Sequence, residues 1–160
     1  MKTILIAAGL GVFLVAPARS QGTGPSFSGT WSLDVAKSDF GPAPAPTSLV
    51  HVIEHTEPNI KMVSTQKTPQ GEVTNERHLT TDGKENVNKV RTPVGDQDVK
   101  STMTWKEKKL VMVYQLRVQA MVIDSSDSWG LSEDGKVLTI LRDITSPQGG
   151  FTQKVVFNKQ

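Results

Sequence analysis

Residues 127–142 read DSWGLSEDGKVLTILR, two runs in which apolar and polar side chains alternate on either side of Asp134-Gly135. An Asp-Gly pair favours a tight hairpin turn, because both central positions need a positive φ angle. A two-residue turn fixes which side chains face each other across the two strands. The stretch therefore predicts a β-hairpin whose inner face is mostly apolar but carries an arginine and an aspartate. The predicted pairs are Leu131–Leu138, Trp129–Ile140 and Asp127–Arg142.

Two other turns predict the same kind of pairing. A four-residue turn at 146–149 and a two-residue turn at Glu107-Lys108 each align mostly apolar side chains on one face. The first turn predicts the pairs Ile144–Phe151, Arg142–Gln153, Ile140–Val155 and Leu138–Phe157. The second predicts Trp105–Leu110, Met103–Met112, Ser101–Tyr114 and Val99–Leu116. Agreement among three turns favours a row of antiparallel strands.

The same alternation, interrupted by turn signals, continues through most of the chain, which indicates strands. A long antiparallel meander leaves no exposed edge if it closes on itself, and a wide barrel has room for a ligand. We predict an all-β fold, an antiparallel up-and-down β-barrel of about ten strands, with a β-sandwich as the alternative. The predicted strands lie near 27–34, 48–56, 60–68, 72–81, 84–91, 97–106, 109–119, 122–133, 136–145 and 151–158.

The segment around Asp82-Gly83 has a different composition. As a two-residue hairpin it would place Glu76 across from Lys89 on an outer face. Its other face carries Asn75, Arg77 and Asn88, which do not suit a dry core. The sequence therefore predicts a polar region inside the barrel on these strands.

The first 20 residues have the pattern of a cleaved signal peptide. A short basic start precedes an apolar run at 4–15, and small residues follow near Ser20. The run is shorter than the roughly 20 residues that span a bilayer. We expect an exported protein, periplasmic or secreted, with a signal peptide at 1–20, a single domain at 21–160 and no stable membrane anchor after cleavage. Its oligomeric state stays open.

The composition argues against several functions. Loss of Lys2 and Arg19 leaves 16 basic and 16 acidic residues, a net charge of 16 − 16 = 0, which is unfavourable for nucleic-acid binding. The chain has no cysteine, and His51 and His55 are too far apart on one strand to share a metal. We expect no metal site, no cofactor and no catalytic residues, with a small hydrolase as the enzymatic alternative.

The start of the predicted domain resembles the calycins, the group of lipocalins and fatty-acid-binding proteins. The resemblance is carried by Phe27, Gly29, Trp31, Leu33, Ser38 and Phe40. It implies that Trp31 closes one end of the barrel and that Gly29 lets the chain bend there. With 129–140, the stretch is also similar to small uncharacterised exported bacterial proteins.

Two features depart from the fatty-acid-binding proteins. Residues 41–46 read GPAPAP, a stiff linker, where those proteins insert two helices. The Arg-x-Tyr ligand clamp of their last strand is missing from 151–157, which read FTQKVVF. If the fold is a barrel, its mouth is covered differently or is open.

We expect non-covalent binding of a small amphipathic or hydrophobic molecule inside the barrel. The head group would contact Arg142, Arg77, Asn75 and Asn88. The apolar body would contact Met103, Trp105, Met112, Tyr114 and Leu116, although these residues suit a filled core equally well. Arg142 has a second interpretation, a purely internal ion pair with Asp127 or stacking on Trp31.

The alternative function is a filled β-barrel that acts as a protein-interaction or envelope-structural module. A cavity above about 300 Å³ that reaches the surface would favour ligand binding, and a dry, packed interior would favour the module.

Overall fold

Ten antiparallel strands make up most of the chain in the computed structural model, which describes residues 24–69, 71–92, 95–118 and 120–160. The predicted signal peptide at 1–20 lies outside the described residues. The described part contains no helix with the length and apolar character needed to cross a membrane. The strands are β1 (Gly29–Leu33), β2 (Ser48–Thr56), β3 (Asn59–Thr68), β4 (Gly71–Thr80), β5 (Asp82–Thr92), β6 (Gly95–Lys106), β7 (Lys109–Val118), β8 (Met121–Leu131), β9 (Val137–Ser146) and β10 (Gly149–Lys159).

The strands form one sheet that curls into a nearly closed barrel, as predicted. Its order is β4-β3-β2-β1-β10-β9-β8-β7-β6-β5, so the first and last strands pair at the middle of the sheet. A short 3-10 helix, Val35–Lys37, follows β1. Inward side chains alternate with outward ones along each strand, so the apolar core lies inside the barrel.

Nearly all of the predicted cross-strand pairs are confirmed. The turn after β8 pairs Trp129 with Ile140 and Asp127 with Arg142, and the turn after β9 pairs Arg142 with Gln153. The turn after β6 gives the predicted pairs Trp105–Leu110, Met103–Met112 and Ser101–Tyr114. Short turns leave no freedom for another register, because a slip of one residue would move every apolar side chain outward.

Two predicted pairings are wrong. Val99 is not in the ladder with Leu116, because the backbone ladder between β6 and β7 ends at Ser101 and Tyr114. The predicted Asp82-Gly83 hairpin does not form either. The chain turns at Thr81, both Asp82 and Gly83 belong to β5, and β4 and β5 are the two edges of the sheet. The outer residue Glu76 contacts Lys61 and His78 instead of Lys89.

Asparagine side chains replace the backbone ladder across the β4–β5 seam. Asn88 accepts a hydrogen bond from the His78 N–H at 2.7 Å and donates to the His78 carbonyl at 2.9 Å. Asn75 accepts from the Arg91 N–H at 2.7 Å and donates to the Arg91 carbonyl at 3.4 Å. A primary amide has the same donor and acceptor groups as a peptide, so it can bridge two strands that lie too far apart to pair directly.

The same device occurs where β6 and β7 separate. The Gln97 side chain accepts a hydrogen bond from the Arg117 N–H and donates to the Arg117 carbonyl, both at 3.0 Å. We call these three bridges the amide clips, formed by Asn75, Asn88 and Gln97. They satisfy backbone groups that the curvature of the barrel leaves without a ladder partner.

One end of the barrel, the floor, is filled by aromatic side chains. Phe27 is fully buried, and its ring centroid lies 6.0 Å from those of both Trp105 and Trp129. Trp31 is also fully buried and donates its indole N–H to the Phe27 carbonyl at 2.9 Å. This packing follows from the wide, flat rings, each of which covers a large part of the barrel cross-section.

Gly29 is required by the geometry of the same end. Its φ angle of 142° suits glycine alone, and an added Cβ would lie 2.7 Å from Cε of Lys159. The Lys159 ammonium group in turn lies 5.2 Å from the centre of the Trp31 ring. The contact with Lys159 thus gives a steric reason for the glycine of the Gly-x-Trp segment at this end of the barrel.

Candidate functional site

The barrel contains a cavity of about 260 Å³ between the aromatic floor, whose Trp129 lines it, and the linker at 41–46. This volume lies slightly below the 300 Å³ named above as favouring a ligand, yet the interior is not a filled core. The walls of the cavity come from seven strands and from the linker between β1 and β2. The lining residues are Phe40, Ala43, Pro44, Pro46, Leu49, His51, Met62, Ser64, Gln66, Val73, Asn75, Arg77, Met112, Asp127, Trp129, Ile140, Arg142, Gln153, Val155 and Phe157.

The proline-rich linker at 41–46 lies along the mouth of this cavity. It is held at its start, where the Phe40 carbonyl accepts a hydrogen bond from the Gln153 side chain at 2.9 Å. It is held at its end, where the Thr47 N–H donates to the Lys67 carbonyl at 3.0 Å. Three of its residues, Ala43, Pro44 and Pro46, border the cavity. The linker therefore partly covers the barrel where the fatty-acid-binding proteins have helices.

A group of polar side chains surrounds the cavity at mid-height. We call it the polar belt, and it consists of His51, Ser64, Asn75, Arg77, Asp127, Arg142 and Gln153. Alternation along β9 positions Arg142 in this belt. The next inward residue towards the floor is the buried Ile140, and the next one towards the mouth is Ile144. The cavity thus combines apolar walls with a concentrated set of hydrogen-bonding groups.

Arg142 and Asp127 form a two-pronged ion pair across β8 and β9. The Nε and Nη2 atoms of Arg142 donate to the two carboxylate oxygens of Asp127, each at 2.7 Å. Asp127 is fully buried, whereas 31% of the Arg142 side chain is accessible because it borders the cavity. Burial acts against the charged form of Arg142, but the Asp127 carboxylate outweighs burial and raises the pKa of Arg142 above its ordinary value.

Arg77 lies in the same belt without a partner of this kind. Its Nε atom is buried and makes no hydrogen bond, and its guanidinium forms no ion pair with any described residue. Burial lowers the pKa of Arg77, but the guanidinium remains charged at neutral pH because its ordinary pKa is above 12. The Arg77 charge is therefore balanced only at a distance by Asp127.

His51 is an uncharged member of the belt. It is 8% exposed, and its ring centroid lies 4.7 Å from that of Phe157. Burial, followed by the nearby charges of Arg77 and Arg142, lowers the pKa of His51 to about 3. The imidazole is consequently neutral over the physiological pH range, and its buried Nδ1 atom makes no hydrogen bond.

The residues predicted to bind a ligand divide into two groups. The structure brings Arg142, Arg77, Asn75 and Met112 to the cavity wall. Asn88, Met103, Trp105, Tyr114 and Leu116 do not line it. Their role in binding a ligand, like that of the first group, stays a prediction.

Four residues of the second group have other contacts or lie in the core. The Asn88 amide is occupied by the His78 backbone, and the Tyr114 hydroxyl lies 3.4 Å from the Asp127 carboxylate. Met103 is fully buried in the core. Trp105 donates its indole N–H to Glu57 at 2.8 Å, at the floor.

Sequence reasoning named four of the lining residues as ligand contacts and left out the others, among them His51, Ser64 and Met62. His51 was considered only as a metal ligand. The register of β2 and β3 pairs it with Ser64, which in turn pairs with Asn75, so all three share one level of the barrel. The Glu57-Pro58 turn, which joins β2 to β3, could have revealed this level.

A histidine and a glutamate meet at the floor but have no free catalytic atom. His55 Nε2 lies 2.9 Å from Glu57, and His55 Nδ1 accepts the Phe27 N–H at 3.2 Å. Nδ1 thus fixes the chain that precedes β1, and Nε2 contacts the carboxylate in the turn between β2 and β3. Among the described residues, no group of three metal-ligating side chains occurs.

Comparison with known proteins identifies the fold. A search of protein-family models found no match, and a search of curated proteins found none. Among solved structures, the chain is similar to the zebrafish ileal bile acid-binding protein complexed with cholic acid. The two are 19% identical, with a TM-score of 0.55, over 84% of this chain and 98% of the other. This chain therefore has the calycin barrel fold that the resemblance at 27–40 predicted.

Proposed function

We propose that this protein binds a small amphipathic molecule inside its barrel and catalyses no reaction. The observation that carries the proposal is the polar belt around a cavity whose remaining walls are mainly apolar. Ligand sites typically combine apolar walls with a few well-placed polar groups. A barrel that served only as a packed scaffold would not need two inward-facing arginines beside an open space.

The apolar body of the ligand would contact Met62, Met112, Ile140 and Val155, and its polar head would contact the belt. The cavity of about 260 Å³ limits the ligand to a small molecule, or to one whose end extends past the linker at 41–46. The zebrafish protein of the same fold is complexed with cholic acid, an amphipathic molecule, which supports this class of ligand.

We also propose that the protein is exported and that residues 1–20 are removed. The support is the sequence pattern alone, a basic start, an apolar run and small residues before Gln21. The mass of the protein recovered from its host would test this directly. A chain that retains Met1–Ser20 would contradict export by this route.

Native mass spectrometry of the protein purified gently from its own host tests the binding function. We expect a reproducible additional small-molecule mass that disappears when the protein is unfolded. The matched variant is Arg77→Met, which removes a belt cation without breaking the Arg142–Asp127 pair. A bare chain, with no thermal shift across fatty acids, retinoids and haem, would instead favour a protein-interaction module.

A further inference from the structure

One part of the outer barrel surface, on strands β6 to β9, carries no charged side chain. Its nine outward-facing residues, which we call the neutral patch, are Thr102, Thr104, Val111, Val113, Ser126, Ser128, Gly130, Thr139 and Leu141. Two of them are large and apolar yet open to solvent, because Val113 is 52% exposed and Leu141 is 39% exposed. Exposed apolar surface of this kind, bordered by charges, is where proteins bind partners.

The strand register makes the neutral patch continuous. One row across the strands consists of Thr102, Val113 and Ser126, and the next consists of Thr104, Val111, Ser128 and Leu141. Neighbouring strands lie about 4.8 Å apart and alternate residues about 6.7 Å apart, so the backbone of the patch spans about 14 Å in both directions. Beside Gly130, where no side chain projects, Thr139 and Leu141 border a shallow hollow. The patch is thus a smooth surface with one recess.

Charged side chains on strands β3 to β6 pair with each other across the outer surface. These pairs are Lys61–Glu76, Lys67–Glu72, Lys89–Asp98, Arg91–Asp96 and Lys100–Glu85. Three charges that border the neutral patch differ. Lys106 and Lys109 at the floor end and Asp143 at the mouth end form no ion pair with any described residue. Asp143 accepts a hydrogen bond from the Thr152 hydroxyl at 2.8 Å, which leaves its charge unpaired.

Lys106 and Asp143 lie at opposite corners of the neutral patch. Lys106 is on β6 and pairs with Lys109, one row nearer the floor than Thr104. Asp143 is on β9 and pairs with Ser126, in the row of the patch nearest the mouth. A two-fold axis in the contact plane, at right angles to the line between these corners, exchanges them. Lys106 of each copy then meets Asp143 of the other, so the contact forms twice.

We propose that the neutral patch is the contact surface of a homodimer with two-fold symmetry. Opposite charges at opposite corners make the patch complementary to itself, which a surface for an unrelated protein does not need. The patch also contains no tryptophan, tyrosine or arginine, the residues that most often anchor an unrelated partner. The dimer goes beyond the proposed function and does not rest on it. A protein that binds its ligand as a monomer would contradict the dimer alone.

The size of the patch limits the strength of the dimer. Specific interfaces of standard size bury about 800 Å² on each partner, and the neutral patch with its charged corners covers roughly half of that area. Interfaces of this size are weak and reversible. We therefore expect the dimer to form at concentrations between about 10 µM and 1 mM.

The contact lies directly behind the wall of the cavity. Along β8, Asp127 borders the cavity between the outward-facing Ser126 and Ser128. Along β9, Arg142 borders the cavity next to the outward-facing Leu141. A second copy would thus pack against the outer side of the strands that carry the ion pair, and it would leave the mouth of the barrel open.

Sedimentation velocity of the purified protein tests the dimer. We expect the weight-average sedimentation coefficient to rise as the concentration increases from about 10 µM to 1 mM. A chain that stays monomeric up to about 1 mM would overturn the proposal and leave the patch to a different partner.

Charge reversal tests the two-fold arrangement. We expect Lys106→Asp and Asp143→Lys each to weaken the dimer at least about tenfold, because each change brings like charges together at two symmetric contacts. The double variant Lys106→Asp/Asp143→Lys has the same pattern with the signs exchanged, so its affinity should return to within about threefold of the natural protein. A double variant as weak as the single ones would overturn the arrangement. Glu54→Lys, at an exposed position of β2 outside the patch, is the matched control and should leave the dimer unchanged.

A substitution at the centre tests the neutral surface itself. Val113→Lys places two charges in the dimer contact, so we expect no dimer up to about 1 mM. Its melting temperature should stay close to that of the natural protein, because the side chain faces solvent in the monomer. Val52→Lys, 43% exposed on β2, is the matched control and should still dimerise. A dimer that persists in Val113→Lys would use another face and would overturn the proposal.

Discussion

Arg142 and Asp127 face each other across neighbouring strands and form two parallel hydrogen bonds of 2.7 Å inside the barrel. We predict that Asp127→Asn lowers the free energy of unfolding by about 3 kcal/mol, because the change leaves the Arg142 charge without a partner inside the protein. This is the lower end of the usual range, because part of Arg142 is accessible through the cavity.

Urea unfolding measures this loss, and the double variant Asp127→Leu/Arg142→Met is its control. We expect the double variant to lose less stability than Asp127→Asn alone, because it leaves no unpaired charge. A double variant that is less stable than the single one would show that the pair itself contributes most of the stabilisation.

His51 makes stability depend on pH. The folded protein keeps His51 neutral down to a pKa of about 3, whereas the unfolded chain takes up a proton near pH 6.5. The contribution of His51 to the free energy of unfolding is therefore complete above pH 6.5. It is lost as the pH drops towards 3, by up to about 1.4 kcal/mol per pH unit. Arg77 and Arg142 face His51 and add to the shift, and both stay charged throughout.

Urea unfolding of the wild type and of His51→Gln at pH 7, 5 and 4 isolates this contribution. The pKa values of Asp34 and Asp82 are also lowered, so these residues too make the protein less stable in acid, but the wild type and the variant both contain them. We expect the wild type to lose more stability than the variant between pH 6.5 and 4. Parallel pH curves would show that His51 does not titrate differently in the folded protein.

The amide clips differ in burial, so replacing them should lower the free energy of unfolding by different amounts. Asn88 is 8% exposed, and Asn88→Leu leaves the His78 N–H and carbonyl without partners. We predict a loss of about 2–4 kcal/mol for this variant. Gln97→Leu, on the more open β6–β7 side, is the matched control and should cost less than about 1 kcal/mol, because water replaces its amide.

Hydrogen exchange provides a local measurement of the same clips. We expect the His78 N–H to lose protection in Asn88→Leu, and the Arg91 N–H to lose it in Asn75→Leu. Unchanged protection at both sites would show that β4 and β5 are held together by other contacts.

Gly29→Ala should destabilise the protein. The new methyl group would meet the Lys159 side chain, and the φ angle of 142° is strained for any other residue. We predict a loss of about 1–3 kcal/mol in thermal or urea unfolding. Gly130→Ala is the control, because its nearest neighbours are 3.8 Å away and its backbone is ordinary strand. Equal stability of the two variants would contradict the steric role of Gly29.

The hairpins of the second half of the chain could be predicted because their turns are short. Asp134-Gly135 and Glu107-Lys108 set the register by local geometry, and Arg142 followed as an inward residue. The β4–β5 seam could not be predicted in the same way. Barrel curvature separates these strands, and Asn75 and Asn88 then hydrogen-bond with the opposite backbone in place of a ladder.

The site was only partly predictable for a related reason. Alternation along a strand tells which side chains point inward, and it correctly placed Arg77, Arg142 and Asn75 inside. It does not tell which inward residues border an open space. Met103 and Met112 pair across β6 and β7, yet Met103 is buried in the core while Met112 lines the cavity.

The order of residues along this chain determined the strands, their turns and the inward faces, because these depend on neighbours only a few residues apart. The closure of the barrel, the course of the proline-rich linker over the mouth, and the isolation of Arg77 beside the Arg142–Asp127 pair were decided by the tertiary structure. Each of these features brings together residues from strands distant in sequence, where distance and burial settle which groups find a partner.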